Sequence, residues 1–461
     1  MKLKIDELLE RQFVPTDVGE EGDIRVVKFY FLNHSSIMFE INGVKTLTDP
    51  WYFGTAFEGG WGLRYDNPDA LNWAKEANYL WISHFHSDHF HVPTLKKLLE
   101  INPEITILGN CSYNFQLDEA IKNIGFRNII AFPERKTLRI DGDIELTRYP
   151  VTGIDNMLHI KYQDVSILNY NDCNLPRMSQ RLLKKKIGHL DVFMANFNHA
   201  GKLLLYPYPS DEIIRNKLKR AFKNSYEVFS PKFVVPFASH HYYRAEESFH
   251  QNISHLINND LMMLDPKIIS WKIGDIATYD PEKSELRVDS SNNKTTLNEL
   301  DKVTRKKTIT YHELSELSKA YVANLRRQFL FTAWFLPKFY IKISDLNISV
   351  RLSVKEGIVK VEDNQQPHII AHSEALSKWW GKKYGTDSFI VGAHFAISSK
   401  KKIPLYWQIV FGMLIDNRLD LKSILLMLFS RSGREFLICR REEILGRIIS
   451  FRLAAEYQKQ D

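Results

Sequence analysis

Residues 79–91 read YLWISHFHSDHFH. An apolar, aromatic-rich run, Tyr79–Ser83, has the composition of a buried β-strand and passes directly into His84, His86, Asp88 and His89, with His91 two residues later. Four histidines and a carboxylate within eight residues after a strand end exceed what packing requires. Neutral imidazoles and a carboxylate gathered at one loop can converge on a divalent metal of the zinc or iron type, whereas magnesium or calcium would call for oxygen donors alone.

Working outward, the flanking sequence alternates β-rich runs with turn residues. Arg25–Phe31, Ser36–Ile41 and Lys45–Thr48 form an antiparallel meander, with Asn42-Gly43 as a hairpin turn. Further strands are expected at Ile105–Gly109, Asn128–Phe132, Ile144–Tyr149, Met157–Gln163, Val165–Tyr170, Asp191–Ala195 and Phe233–Phe237. Helical spacing occupies Thr94–Glu100, Leu117–Ile124 and Asp211–Phe229, the last with acidic residues in its first turn. The stretch Ser290–Thr310 is polar and basic, so the chain divides into 1–290, a linker at 291–310, and a basic α+β unit at 311–461. That unit holds a helix-like Phe329–Tyr340, a β-like Leu346–Val361 and a basic apolar run, Leu419–Tyr457.

Composition narrows the class. The chain of 461 residues is 44% hydrophobic, 12% aromatic and 25% charged, which excludes a disordered, collagenous or disulfide-stapled protein. Charge is uneven: 35 basic against 39 acidic side chains up to residue 300, then 27 against 16. Cys111, Cys173 and Cys439 form no close pair, which suits a reducing cytoplasm. Met1–Gln12 lacks the apolar run of a secretory signal, and no uncharged apolar stretch reaches the roughly 18 residues of a spanning helix. A cytoplasmic protein, soluble or peripheral, is expected.

His-x-His-x-Asp-His after a β-strand resembles the metallo-β-lactamase superfamily. The runs LTDPWYFGTAFEGGW (47–61), SHFHSDHFHVPTLKKL (83–98), LNYNDC (168–173) and PKFVVPFA (231–238) are similar to the branch that includes the CMP-N-acetylneuraminate hydroxylases. This resemblance implies a four-layer αββα sandwich, with a smaller C-terminal α+β domain beside it. It also implies that His84 and His86 serve one metal position, that Asp88 and His89 serve the other, and that Asp172 bridges them. The final superfamily histidine would come from His240 or His241, which either complete the second site or form a surface pair, since the hydroxylase pattern places its histidine several residues later, where this chain has Ala245. His34, after the first strand, is either a substrate-side group or a turn former, and Asp49 is a carboxylate expected behind a metal-bound histidine.

Two departures from the family pattern are visible. The Cys-x-His and Cys-x-x-His pairs of a Rieske centre do not occur in this sequence. The third histidine of the first metal position is missing from Tyr149–Asp155; nearby His159 shares a strand face with Lys161 and Gln163 and is expected to face solvent. The first position therefore looks weak, with one tight metal per chain and a second, looser one. Cys173 reads as a small buried residue. Arg64, Lys202, His199 and Arg244 are either phosphate holders or ordinary surface residues, and the aromatic, glycine-rich Trp51–Tyr65 either covers the metal and stacks on a sugar or base or is a buried packing loop.

The leading expectation is a metal-dependent hydrolase acting on a phosphorylated, sugar- or nucleotide-linked small molecule. In it the metal lowers the pKa of a bound water, Asp88 or Asp172 orients that water, and His34 assists. Two alternatives stand beside it: a non-haem iron oxygenase drawing electrons from a separate protein, and a binding protein with a degenerate metal site. No nucleic-acid partner is expected; the basic C-terminal run is a candidate for peripheral contact with an anionic membrane.

Overall fold

The computed structural model describes residues 26–109, 116–151, 155–201, 209–362, 364–398 and 401–417, with Leu425, Phe429 and Arg434 beyond them. Lys202, Cys111, Cys439 and nearly all of the basic run Leu419–Tyr457 lie outside the described residues.

The first sheet orders its strands Glu285–Asp289, Ile276–Asp280, Val27–Asn33, Ser36–Ile41, Val44–Thr48, Tyr79–Trp81, Thr106–Gly109 and Ile129–Ala131. Asn42 and Gly43 close the expected hairpin with φ of 49° and 76°, the left-handed pair that a two-residue turn needs. From Val44–Thr48 onward the pairing is parallel. Helices Ala70–Lys75, Val92–Ile101 and Gln116–Ile124 make these crossovers, as parallel strands require. The second sheet runs Thr137–Ile140, Ile144–Pro150, Asn156–Tyr162, Val165–Asn171, Val192–Ala195 and Phe233–Pro236.

Alternation places the two sheets face to face. Phe29, Phe31, Phe39 and Trp81 of the first pack with Leu158, Ile160, Ile167, Met194 and Val235 of the second in one buried cluster. The outer face of the first sheet (Leu32, Met38, Leu47, Leu80) is covered by Ala70, Ala74, Leu95, Leu98 and Ile121 of its helices. That of the second (Met157, Leu168, Tyr170, Phe193) is covered by helices Arg177–Ile187, Asp211–Glu227 and Asn258–Met262 through Leu183, Phe222, Tyr226 and Leu261. The protein is thus a four-layer αββα sandwich.

The helix coverage overturns the expected solvent exposure of His159. Its face of Asn156–Tyr162 lies under the helix layer, so His159 is buried and its Nε2 sits 2.9 Å from Ser166 Oγ. Only Lys161, nearer the strand end, reaches water.

The remaining chain builds a five-stranded sheet, ordered Gly357–Val361, Ile348–Ser353, Phe339–Ile343, Ile369–Ala371 and Ala396–Ile397, against helices that include Tyr311–Phe329, Ser373–Gly381 and Gly385–Val391. Tyr311–Phe329 opens on a capping box: Thr310 Oγ accepts from Glu313 N, and the Glu313 carboxylate accepts from Thr310 N. The expected helix Phe329–Tyr340 is instead a 3-10 turn, Leu330–Phe335, followed by a strand from Phe339. Pro337 lies between them, and proline both lacks an amide donor and disfavours a helical conformation at the residue before it. Within 291–310, Thr296–Leu297 pairs with Tyr65–Asp66, and Asp301 binds the Arg244 guanidinium and the Tyr242 hydroxyl. Trp51, Phe57, Trp61 and Tyr243 belong to the same apolar cluster as Trp379, Phe389 and Phe395. No helix among the described residues is long and apolar enough to cross a membrane.

Candidate metal centre

The motif lies at the end of the first sheet. After Trp81 the chain leaves the strand and turns tightly, with the amides of His89 and Phe90 both donating to His86 O (3.0 and 2.7 Å). The turn gathers the side chains of His84, His86, Asp88 and His89 on one side. His91 leaves the group: it caps helix Val92–Ile101, its Nδ1 accepting from Thr94 N at 3.3 Å, and burial pushes its pKa down to about 4.

Among the described residues, three sets of donor atoms converge, each within 4.8 Å: His84, His86 and Asp155; His84, His89 and Asp172; and His34, Asp88 and His89. His84 Nε2 and His86 Nδ1 are 2.9 Å apart, and Asp155 Oδ1 is 3.6 Å from His84 Nε2. His89 Nε2 faces Asp172 Oδ2 (3.1 Å) and Asp88 Oδ2 (3.4 Å), while Asp172 Oδ1 accepts from Asn196 Nδ2. His34, at φ 33° just past the first strand, brings Nε2 to 3.3 Å from Asp88 Oδ2.

Asp155 was missed by the sequence reading because a histidine was sought there. The carboxylate stands in the stretch that lacks it, one residue before the second sheet's Asn156–Tyr162 strand. Asn156 anchors that strand start to the motif, donating from Nδ2 to Ser83 O at 2.8 Å.

Supporting groups fix the ring orientations. Ser83 Oγ is 2.8 Å from His84 Nδ1. Asp49, fully buried, places Oδ2 3.1 Å from His89 Nδ1, while its two oxygens also accept from Ser83 N and Asn171 Nδ2 (2.7 Å each). Asp49 therefore stands behind a histidine, where it was expected.

The electrostatics match a cation-binding site. Burial opposes ionisation of Asp88, yet the adjoining His89 ring and the bond from His34 hold its carboxyl well below the usual carboxylate range. Burial likewise opposes charging of His89, but Asp88, Asp172 and Asp49 raise it well above the usual histidine value. Asp88 Oδ1 and His86 Nε2 are buried without a hydrogen-bond partner, and an unsatisfied buried carboxylate oxygen beside the imidazoles of His34 and His89 suits a metal. The residues present fit a dinuclear His/Asp centre.

His240 and His241 join none of the three sets. The His240 ring lies among Phe31, Phe197 and Tyr65, where burial pushes its pKa down to about 3. His241 stacks on Trp61 at 3.7 Å between ring centres, 5.4 Å from the His34 ring. Trp51–Tyr65 wraps this side of the centre, with Trp51 against His34, Phe57 5.9 Å from His86, and Phe57 N donating to Ser87 Oγ. Of the phosphate candidates, His199 is buried, with Nδ1 2.9 Å from Tyr243 Oη; Arg244 is paired with Asp301; Arg64 is half-buried. Cys173 is buried in the apolar layer under the helices.

Residues 28–215 match the family model described as a beta-lactamase superfamily domain. The cytidine monophosphate-N-acetylneuraminic acid hydroxylase of Asterias rubens is 26% identical over 60% of this chain and 44% of its own length. The enzyme of the same name from Macaca mulatta is 31% identical over 34% of this chain and 28% of its own. The matched parts therefore span less than half the length of either relative. A solved metallo hydrolase of Ignicoccus hospitalis is 16% identical, with a TM-score of 0.38, covering 55% of this chain and 98% of that one. Residues 28–215 are thus similar to a beta-lactamase superfamily domain, and their motif loop gathers a His/Asp cluster that could hold a metal.

Proposed function

We propose that this chain is a non-haem iron hydroxylase that uses its His/Asp centre to oxidise a nucleotide-linked sugar, with electrons drawn from a separate protein. The observation that carries the reading is Asp155. With it, His84 and His86 become a two-histidine, one-carboxylate set, and beside it His89 faces Asp88 and Asp172. Such sets with open positions suit non-haem iron, which when bound supplies a site for dioxygen chemistry. Three carboxylates across the cluster also place more negative charge around the metals than a histidine-only first position would, favouring a harder, more highly charged ion. The substrate class is taken from the relatives, whose names specify cytidine monophosphate-N-acetylneuraminic acid.

The chain's own residues have defined tasks in this reading. His84, His86 and Asp155 hold one metal, and His89, Asp88 and Asp172 the other. Ser83 and Asp49 fix two of the rings. Trp51, Phe57 and Trp61 wall the centre with apolar surface that excludes bulk water. His34 holds Asp88 from the side of His241 and Trp61.

Metal-dependent hydrolysis is the second reading. It draws support from Asp172, which at 16% side-chain exposure against 2% for Asp88 can orient a water for attack. Protein purified without oxygen and loaded with iron or zinc separates the two. Iron-dependent oxygen uptake with a CMP-sugar and a chemical reductant is expected; turnover with zinc alone and no oxygen consumption would establish hydrolysis instead.

A further inference from the structure

Three histidines carry the motif, and the side of each ring turned from the cluster meets a different group. His84 Nδ1 meets Ser83 Oγ, and His89 Nδ1 meets Asp49 Oδ2, both from within the sandwich. His86 is the exception. Its Nδ1 lies 2.9 Å from His84 Nε2, on the side shared with Asp155, so its Nε2 points outward. There it faces Oδ1 of Asp387 at 3.5 Å, an ion-pair contact, and His86 Nε2 itself makes no hydrogen bond among the described residues. Asp387 is buried, with 5% exposure, and belongs to helix Gly385–Val391, about 300 residues from the motif and beyond the family-matched 28–215.

The segment carrying Asp387 is held against the metal loop. Trp61 Nε1 donates to Val391 O (2.9 Å), His394 Nε2 reaches Phe57 O (2.8 Å), and Ser248 Oγ donates to Ala393 O (2.6 Å). Contact is close enough that a Cβ on Gly60 would lie 2.5 Å from Gly392 O. Phe57 in turn binds Ser87, inside the motif, through its amide.

We propose that Asp387 is a positioning residue for the metal centre. It accepts the Nε2–H of His86, fixing that ring's tautomer and aiming Nδ1 at the first metal position, so that the C-terminal unit completes a site built by the sandwich. A carboxylate behind a metal-bound histidine orients the ring and raises its basicity, as Asp49 stands behind His89. The inference rests on the metal-centre reading above.

The test is cobalt titration of the full chain, followed by equilibrium dialysis and by the visible absorption of the bound ion. Asp387→Asn keeps the volume and removes the charge; it is expected to bind the first equivalent about 10–100-fold more weakly, with shifted cobalt bands. Asp387→Glu is expected to recover most of the loss. The thermal midpoint of the metal-free protein, measured alongside, should move little in either variant. Wild-type affinity and unchanged bands in Asp387→Asn would overturn the proposal. If both variants fail to fold, the zinc-loaded wild type with nitrogen-labelled histidine decides: a deshielded, slowly exchanging Nε2–H on His86 supports it, and a rapidly exchanging one overturns it. His84→Ala is the control, since wild-type cobalt affinity there would show that the metal-centre reading itself had failed.

Discussion

Asp155 brings a negative charge to a position where an imidazole was sought, and the change alters the count of metals the centre should hold. Without it the first position has two histidines and a shared acid; with it, both positions reach three protein donors, the number a catalytic site with an open position uses. Two metals per chain are therefore expected to survive exhaustive dialysis, and Asp155→Ala should retain one, as read by elemental analysis. A single metal in the wild type would show that Asp155 does not bind.

His159 carries a second prediction at this scale. Burial first, then the positive charge of Lys161, push its pKa down to about 4, so the folded state holds it neutral. The unfolded chain titrates near the ordinary 6.5 and binds the extra proton first. Its neutral form is thus fully accommodated above pH 6.5, and stability is lost as pH falls from there toward 4. Between pH 7 and 5 the loss attributable to this one group is about 2 kcal/mol. Urea unfolding at both pH values should show a correspondingly shallower decline in His159→Gln than in the wild type. Equal slopes would mean that His159 gains access to water.

At the scale of elements, the loop Trp51–Tyr65 does two jobs, walling the cluster and docking the C-terminal unit. Gly60 sits where that docking is closest, so Gly60→Ala should separate the loop from Gly392 at a cost of about 1–3 kcal/mol, the usual range for overpacking. Chemical denaturation would measure it. An unchanged stability would show that the two backbones part without loss. Elements whose apolar period was clear were found in place: Ser36–Ile41 matches its expected bounds, and Asp211–Glu227 starts where its acidic first turn pointed. Phe329–Tyr340 misled because aromatic residues pack equally well on a turn and a strand; Pro337 was the signal that a helix could not pass.

For the molecule as a whole, metal and fold should be linked. Donors come from three loop regions on two sheets, and all must be brought together before an ion can bind. Metal at about 100 times its dissociation constant is expected to stabilise the protein by about 2.7 kcal/mol over the chelated form. Thermal unfolding with and without a chelator reads this, and identical midpoints would exclude a folded-state metal site of that affinity.

Local chemistry in the chain was sufficient for the motif, for most strands of the sandwich and for Asp49 behind a histidine, because strand alternation and a dense His/Asp loop depend on neighbours a few residues apart. The burial of His159 was decided only when helices covered the second sheet, since alternation tells which residues share a face but not what lies over it. The separation of His240 and His241 from the donor sets likewise followed from where the strand His241–Tyr243 pairs, against Trp61–Leu63. Asp387 was beyond any sequence reading: nothing in residues 385–391 marks a carboxylate for a histidine some 300 positions earlier, and only the packing of the C-terminal unit onto Phe57–Trp61 brings them within 3.5 Å.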